Sequence, residues 1–320
     1  MKMSKFKLGL VFLISAFTIF TTAGTVLAGK VFINIGTGSM GGSYYPVGAC
    51  MSKIINDNVQ GVNCSVQSTG GTIANLQLMK SKEAQMATVD LNASDAYWGM
   101  GKFEGDRMPG IRALTPLYPE YIHLMVSKKS GIKSIYDLKG KKISVGAVAS
   151  GTEVTSKQLL AALGMTFDDI DVRRLGVGAT AQAFKDRQID GAIMAGGLGM
   201  SGVIEVTSLK LVDFVPMPDE VLKKLQAKYS YWMPMDIPAG YYPNQPKAIK
   251  QYGDWNFTII HEDIPEDMVY NITRALYENA EELVLTKEQM KYMKLENLKY
   301  IPVPFHPGAQ KYYSEKGYGK

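Results

Sequence analysis

Cysteine, histidine and long apolar runs are all scarce in this 320-residue chain. Its two cysteines, Cys50 and Cys64, form no Cys-x-x-Cys pair, so no thiol redox motif and no thiolate zinc site is present. Its three histidines, His123, His261 and His306, are isolated, with no partner at metal-ligand spacing, which leaves them structural or surface roles. There is no Gly-x-Ser-x-Gly elbow, and no Ser/His pairing along the chain suggests an activated nucleophile. A Walker loop is excluded because no Gly-Lys-Ser/Thr occurs. Composition excludes disordered, collagen-like and coiled-coil chains, since 46% of residues are hydrophobic and 20% charged.

One end is unusual. Lys2, Lys5 and Lys7 precede an apolar run over 8–20, and Val26-Leu27-Ala28 carries small residues at cleavage spacing. This describes a secretory signal peptide over 1–28, cut after Ala28. The run is short of the ~20 residues a spanning helix needs, which argues against an anchor. No cysteine stands directly after the cleavage point, against a lipoprotein. Losing the three lysines lowers the formal net charge from +5 to +2, leaving no basic excess to recruit nucleic acid or anionic lipid. The mature chain is expected to be periplasmic and not itself membrane-spanning. Export leaves a Cys50–Cys64 disulfide and two free thiols both open.

The remainder alternates strand and helix signals. Residues 31–35, 62–67 and 86–89 read as strands. Between them, helical spacing covers 43–56 and the stretch carrying Ile73, Leu76 and Met79. The same grammar returns with strands at 142–145, 172–175 and 192–194 and helices from 150 and over 179–187. Two β-α-β-α-β patterns imply two α/β lobes with mostly parallel sheets. The β-rich runs at 118–127 and 255–260 suit a paired crossing between lobes, and Pro265-Glu266-Asp267 opens a later helix. The tail, Phe305-His306-Pro307-Gly308 followed by Tyr312, Tyr313 and Tyr318, reads as aromatic and turn-rich.

Gly36-x-Gly38-x-x-Gly41 matches a dinucleotide fingerprint, but the acid at fingerprint distance, Asp57, precedes the second strand instead of ending it. Glycine turns at helix starts present free N–H groups and a positive helix dipole, which attract anions. That device recurs at 36–43, 68–72 and 150–153, with hydroxyls from Ser39, Ser43, Ser68, Thr69, Thr72, Ser150 and Thr152. Two facing lobes would aim these turns into one cleft. The acids Asp168, Asp169 and Asp171 read as a solvated turn, and the aromatic pairs as core or surface, with Tyr44 and Tyr241 beside cleft turns.

The segments IGTGSMGGSYYPVG (35–48), STGGTIANLQLM (68–79), LYPEYIHLMVSKKSGIKSIYDLKGKKISVGAVASGTEVT (117–155), IPAGYYPNQ (237–245), DIPEDMVYNITRALYEN (263–279) and PFHPGAQKYYSEKG (304–317) carry a resemblance that spans the mature chain. They resemble the TAXI-type solute receptors of tripartite ATP-independent periplasmic (TRAP) transporters. The resemblance implies a type II periplasmic-binding-protein fold: lobe 1 at 29–123 and 255–320, lobe 2 at 124–254, and a two-strand hinge. It implies delivery of a small carboxylate, such as glutamate, 2-oxoglutarate or a related dicarboxylate or amino acid, to TRAP permease subunits driven by an ion gradient. It implies no cofactor, no metal and no catalysis. The selecting arginine of the other TRAP receptor class does not transfer, because no arginine falls in a cleft turn.

By position, the resemblance places Gly42, Ser43 and Tyr44 in one ligand turn and Ser68, Thr69 and Gly70 in a second. It adds Asn92 after the third strand, then Ser150, Gly151, Thr152 and Glu153 in the SGTE turn. Gly197 follows a strand of the other lobe, and Tyr241 lies toward the hinge. Thr152 is the leading side-chain contact. Glu153 is expected either to bind an amine or to favour the first helical turn. Met40 and Leu91-Asn92-Ala93 depart from the family pattern and bear on ligand identity. Two rivals share the cleft: a subunit presenting ligand to a membrane sensor, and an exported enzyme acting on a small acid.

Overall fold

The computed structural model describes residues 30–319, so the leader read at 1–28 lies outside the described residues. Ten described strands form one sheet: β1 (Val31–Gly36), β2 (Val62–Gln67), β3 (Met86–Asp90), β4 (Ile111–Ser127), β5 (Lys142–Ser144), β6 (Asp171–Arg173), β7 (Gly191–Gly196), β8 (Val212–Phe214), β9 (Met233–Pro234) and β10 (Tyr252–His261). The helices are α1 (Tyr44–Asn58), α2 (Thr72–Lys80), α3 (Asn92–Trp98), α4 (Gly151–Ala162), α5 (Val177–Lys185), α6 (Ser201–Ser208), α7 (Asp219–Gln226), α8 (Glu266–Glu278), α9 (Ala280–Thr286) and α10 (Pro307–Glu315).

The sheet order is β2-β1-β3-β10-β4-β7-β5-β6, with β8 on β4 and β9 on β10. β1 runs parallel to β2 and β3, and β5 parallel to β6 and β7. Between these parallel halves, β4 and β10 run antiparallel to each other, β10 to β3, and β4 to β7. The two halves are therefore not separate sheets, as the repeated pattern suggests. The 17-residue β4 threads both and fuses them.

The crossing strand starts at Ile111, seven residues before the sequence signal. Pro116 and Pro119 masked its first half, because proline lacks the N–H that a central ladder needs. The ladder accommodates them by slipping register between Trp255 and Phe257, which stand opposite Pro119 and Pro116.

Helices cover both faces of each half, which is why β3 is buried along its whole length. On one face of the first half, Val47, Met51, Ile54 and Ile55 of α1 pack with Ile33 and Ile35 and with Val269, Ile272 and Leu276 of α8. On the other, Ile73, Leu76 and Met79 of α2 meet Ala87, Val89, Phe257 and Ile259. In the second half, Leu159 and Leu160 of α4 join Ile143 and Ile193, while Phe184, Val203 and Val206 join Ala192 and Met194. Each such aliphatic side chain contributes roughly 1.5–3 kcal/mol on burial. Cys50 and Cys64 are free thiols, and burial pushes the Cys64 thiol up to about 11. No helix among the described residues is long and apolar enough to cross a membrane.

The tail is a helix, not a run of turns. Pro307 suits the first position of α10, and His306 caps it by accepting the Gly308 N–H at 3.2 Å. Gly308 is required by close approach: a Cβ there would lie 2.2 Å from Glu266 O and 2.7 Å from Tyr270 N of α8. Backbone atoms cannot yield as a flexible side chain does. Gly308→Ala is expected to destabilise the fold by about 1–3 kcal/mol, read as a lower urea midpoint. An unchanged midpoint would mean the two helices separate freely.

Candidate functional site

Where the two halves meet, beyond the carboxyl ends of their parallel strands, lies a cavity of about 60 Å³. That is several times the ~10–15 Å³ one water needs, so it suits a small molecule. Three turns wall it, each leading into a helix. Gly38, Ser39, Gly42, Ser43 and Tyr44 come from the start of α1, Gly70, Gly71 and Thr72 from that of α2, and Ser150, Gly151 and Thr152 from that of α4. The first N–H groups of a helix lack intrahelical acceptors, so these turns present hydrogen-bond donors and positive partial charge. Val177, Ala195, Gly196 and Met200 supply the remaining apolar wall.

Two carboxyl groups, Asp90 and Glu120, also face the cavity, and neither lysine nor arginine lines it. They belong to a larger set on the sheet. Glu120 of β4 stands directly opposite Asp254 of β10, and Asp90 of β3 opposite Asn256 of β10. The spacing of two between Asp254 and Asn256 puts both pairs on one sheet face. Asp90 and Asp254 are 2% exposed and Glu120 5%. Burial raises all three acids, Asp90 to about 6, and mutual repulsion raises Glu120 and Asp254 further. Tyr44 donates its hydroxyl to Asn256 Oδ1, while the Tyr118 hydroxyl and Asp254 Oδ1 are buried without a hydrogen-bond partner.

Asp90 also touches the opposite half. A Cβ on Gly151 would lie 1.7 Å from Asp90 Oδ2 and 3.0 Å from Thr72 Oγ1, so only glycine lets the α4 N-terminus approach that carboxylate. Further bonds close the cleft. The Val177 N–H donates to Ser39 Oγ at 3.3 Å, Ser201 Oγ to Gly41 O at 3.1 Å and the Ala74 N–H to Ala149 O at 2.8 Å. Lys287 Nζ donates to Gly199 O at 2.7 Å, and burial lowers that ammonium to about 8.

Of the residues expected at the site, Gly42, Ser43, Tyr44, Gly70, Ser150, Gly151 and Thr152 line the cavity together. Thr152 Oγ1 lies 3.4 Å from both the N and O of Ala195, and Gly197 adjoins the wall, its carbonyl accepting from Ser43 Oγ at 3.5 Å. The others lie elsewhere. Ser68 donates to Gly38 O, and the Thr69 hydroxyl sits 2.9 Å from Thr37 O and 2.7 Å from Asn75 Oδ1 with one proton to share, so these hydroxyls hold the turns together. Asn92 is buried behind the cavity, accepting from Gln158 and Tyr231. Glu153 accepts from the Ala149 N–H and pairs with Arg174 at 2.8 Å, a helix-start role. Tyr241 meets Gln289 at the cleft's outer edge. Asp90 and Glu120 escaped the sequence reading because a lone acid inside a β-rich run belongs to no motif. The signal available was an acid inside a strand buried along almost its whole length, at the end of β3 for Asp90 and in the middle of β4 for Glu120.

Residues 35–317 match the NMT1-like family, and the chain belongs to it. A protein of Brucella abortus (strain 2308), described as a candidate binding protein, is 39% identical over 67 residues, 21% of each chain. This chain thus matches about a fifth of that relative's length. Among solved structures, a Bordetella bronchiseptica RB50 protein superposes with TM-score 0.52 at 19% identity, over 90% of this chain and 81% of that one. A structure described as a periplasmic transporter superposes with TM-score 0.51 at 14% identity, over 90% and 93%. At these identities the likeness is one of fold: two α/β lobes on either side of a cleft.

Proposed function

We propose that this NMT1-like family member is a periplasmic solute receptor that closes its lobes over a small carboxylate and delivers it to a membrane permease. The observation that carries this reading is the cavity itself, walled by helix N-termini from both halves. A solute held by one half alone would not favour closure. One touched by both shifts the balance toward the closed form. The hinge is β4 with β10, and the lobes are 29–123 with 255–320, and 124–254.

The segment resemblance to TAXI-type receptors names the permease class as TRAP. It names glutamate, 2-oxoglutarate and related dicarboxylates or amino acids as solutes. Helix N-termini support that choice, since their free N–H groups complement a carboxylate. A receptor, rather than an enzyme acting on a small acid, is favoured by how the hydroxyls and imidazoles are engaged. Ser150 Oγ donates to Ala147 O, His123 pairs with the Tyr242 hydroxyl, and His306 caps α10.

The test is a thermal-shift screen of residues 29–320 with glutamate, glutamine, 2-oxoglutarate, C4 and C5 dicarboxylates, aliphatic amino acids and neutral sugars. A solute at about a hundredfold its Kd adds roughly 2.7 kcal/mol, a shift of several degrees. Stabilisation by a carboxylate is expected. Stabilisation by neutral sugars alone would sink the reading.

A further inference from the structure

We propose that Glu120 and Asp90 form a cation subsite, so that the solute carries an ammonium group and an α-amino acid is taken in preference to its matching 2-oxo acid. This rests on the receptor reading above and sharpens its substrate class.

The argument begins with charge. The cavity is lined by two carboxyl groups and three helix N-termini, and by no lysine or arginine. A solute bearing only carboxylates would satisfy the turns but give Glu120 and Asp90 no counter-charge, and would oppose their ionisation further. An amino acid divides instead. Its carboxylate faces the turns, and its ammonium offers three donors to groups that only accept when ionised.

A second observation comes from behind the cavity. Asp254 stands opposite Glu120 in the β4–β10 ladder, a like-charged cross-strand pair that destabilises a sheet. Its Oδ1 is buried with no hydrogen-bond partner, and the Tyr118 hydroxyl, on the strand of Glu120, is likewise orphaned. Buried acids normally stand beside a base, or are replaced by apolar residues. Here three share one sheet face without a cation lining the cavity beside them, and a cation from the solute supplies what the chain does not.

Isothermal titration of wild-type protein with matched pairs tests this: glutamate and 2-oxoglutarate, alanine and pyruvate, leucine and 4-methyl-2-oxopentanoate. For the pair that binds, the amino acid should be held about tenfold or more tightly than its oxo partner. Glu120→Gln, or Asp90→Asn, should lower amino-acid affinity by a similar factor and leave the oxo acid unchanged or improved. An oxo acid bound as tightly as its amino partner overturns the cation subsite while the receptor reading stands. If no member of any pair binds while another carboxylate of the screen does, the cation subsite falls and the receptor reading stands. The wild-type comparison needs no variant, so the test survives a substitution that misfolds.

Discussion

Gly151→Ala should deprive the cleft of its closed form and lower solute affinity by about 10- to 100-fold. The added methyl would stand 1.7 Å from Asp90 Oδ2 and 3.0 Å from Thr72 Oγ1, both contributed by the opposite half. Asp90 is short and 2% exposed, so its carboxylate has nowhere to turn except the cavity. Either the halves stay apart or the carboxylate takes the solute's place. Overpacking of this kind costs about 1–3 kcal/mol, which sets the expected loss. Within α4 itself alanine is a better helix former than glycine, so thermal stability without solute should hold or rise slightly. Titration calorimetry gives the affinity, and solution X-ray scattering gives the radius of gyration with and without solute. A variant that binds normally and still compacts would show that this contact does not govern closure.

The second large effect concerns pH. An acid whose folded value lies above its unfolded one stabilises the fold fully below the unfolded value, and loses that contribution as pH rises through the folded one. Burial carries Asp90 from 3.8 to about 6, which at about 1.4 kcal/mol per tenfold is worth on the order of 3 kcal/mol. Glu120 and Asp254 are raised as well, so they act with the same sign and carry the loss to higher pH. The groups electrostatically coupled to this set are Tyr44, Tyr118, Tyr231 and Asp95, with Lys102 feeling Asp90 from further off. Urea unfolding without solute should therefore show stability climbing as pH falls from 8 to 5. Asp254→Asn removes one charge that burial opposes. It should raise stability at pH 8 by about 1–3 kcal/mol and flatten the profile. Wild-type stability that instead rises with pH across this window would contradict the buried-acid account.

The parts of the site that were legible are those with punctuation. Glycine, serine and threonine between a strand and a helix mark a turn whose N–H groups are free, and the turns at 38–44, 70–72 and 150–152 do meet at one cavity. Local sequence cannot say whether a hydroxyl in such a turn points inward. Ser68 and Thr69 look equivalent to Ser43 and Ser150 on paper, and all four hydroxyls bond to backbone, yet only Ser43 and Ser150 line the cavity. Glu153 is a helix-start acid by spacing and by geometry alike, tied to the Ala149 N–H. Asp90 and Glu120 were hidden for another reason. Their importance comes from which strands become neighbours, and the pairing of β10 with both β3 and β4 spans more than a hundred residues of sequence. The same distance hid the continuous sheet: the paired crossing of 118–127 and 255–260 was legible, but not that β4 begins at Ile111 and joins both parallel halves into one sheet.

That strand order also dictates when each half can assemble. β3 pairs on one side with β1, and on the other with β10, whose paired residues come 166 to 174 positions later. The core against α1 stays open until α8 and α10 arrive, and the Tyr313 hydroxyl reaches back to Leu114 O to close it. The intervening half, by contrast, draws its parallel strands and helices from one continuous stretch. Contacts at such separation form slowly, because loop closure must precede any gain from them. In a chain emerging vector-fashion from a ribosome or a membrane pore, the middle would gain structure first. The first half, though its β1–β3 and α1–α2 are also contiguous, would keep an incomplete core until β10, α8 and α10 had followed.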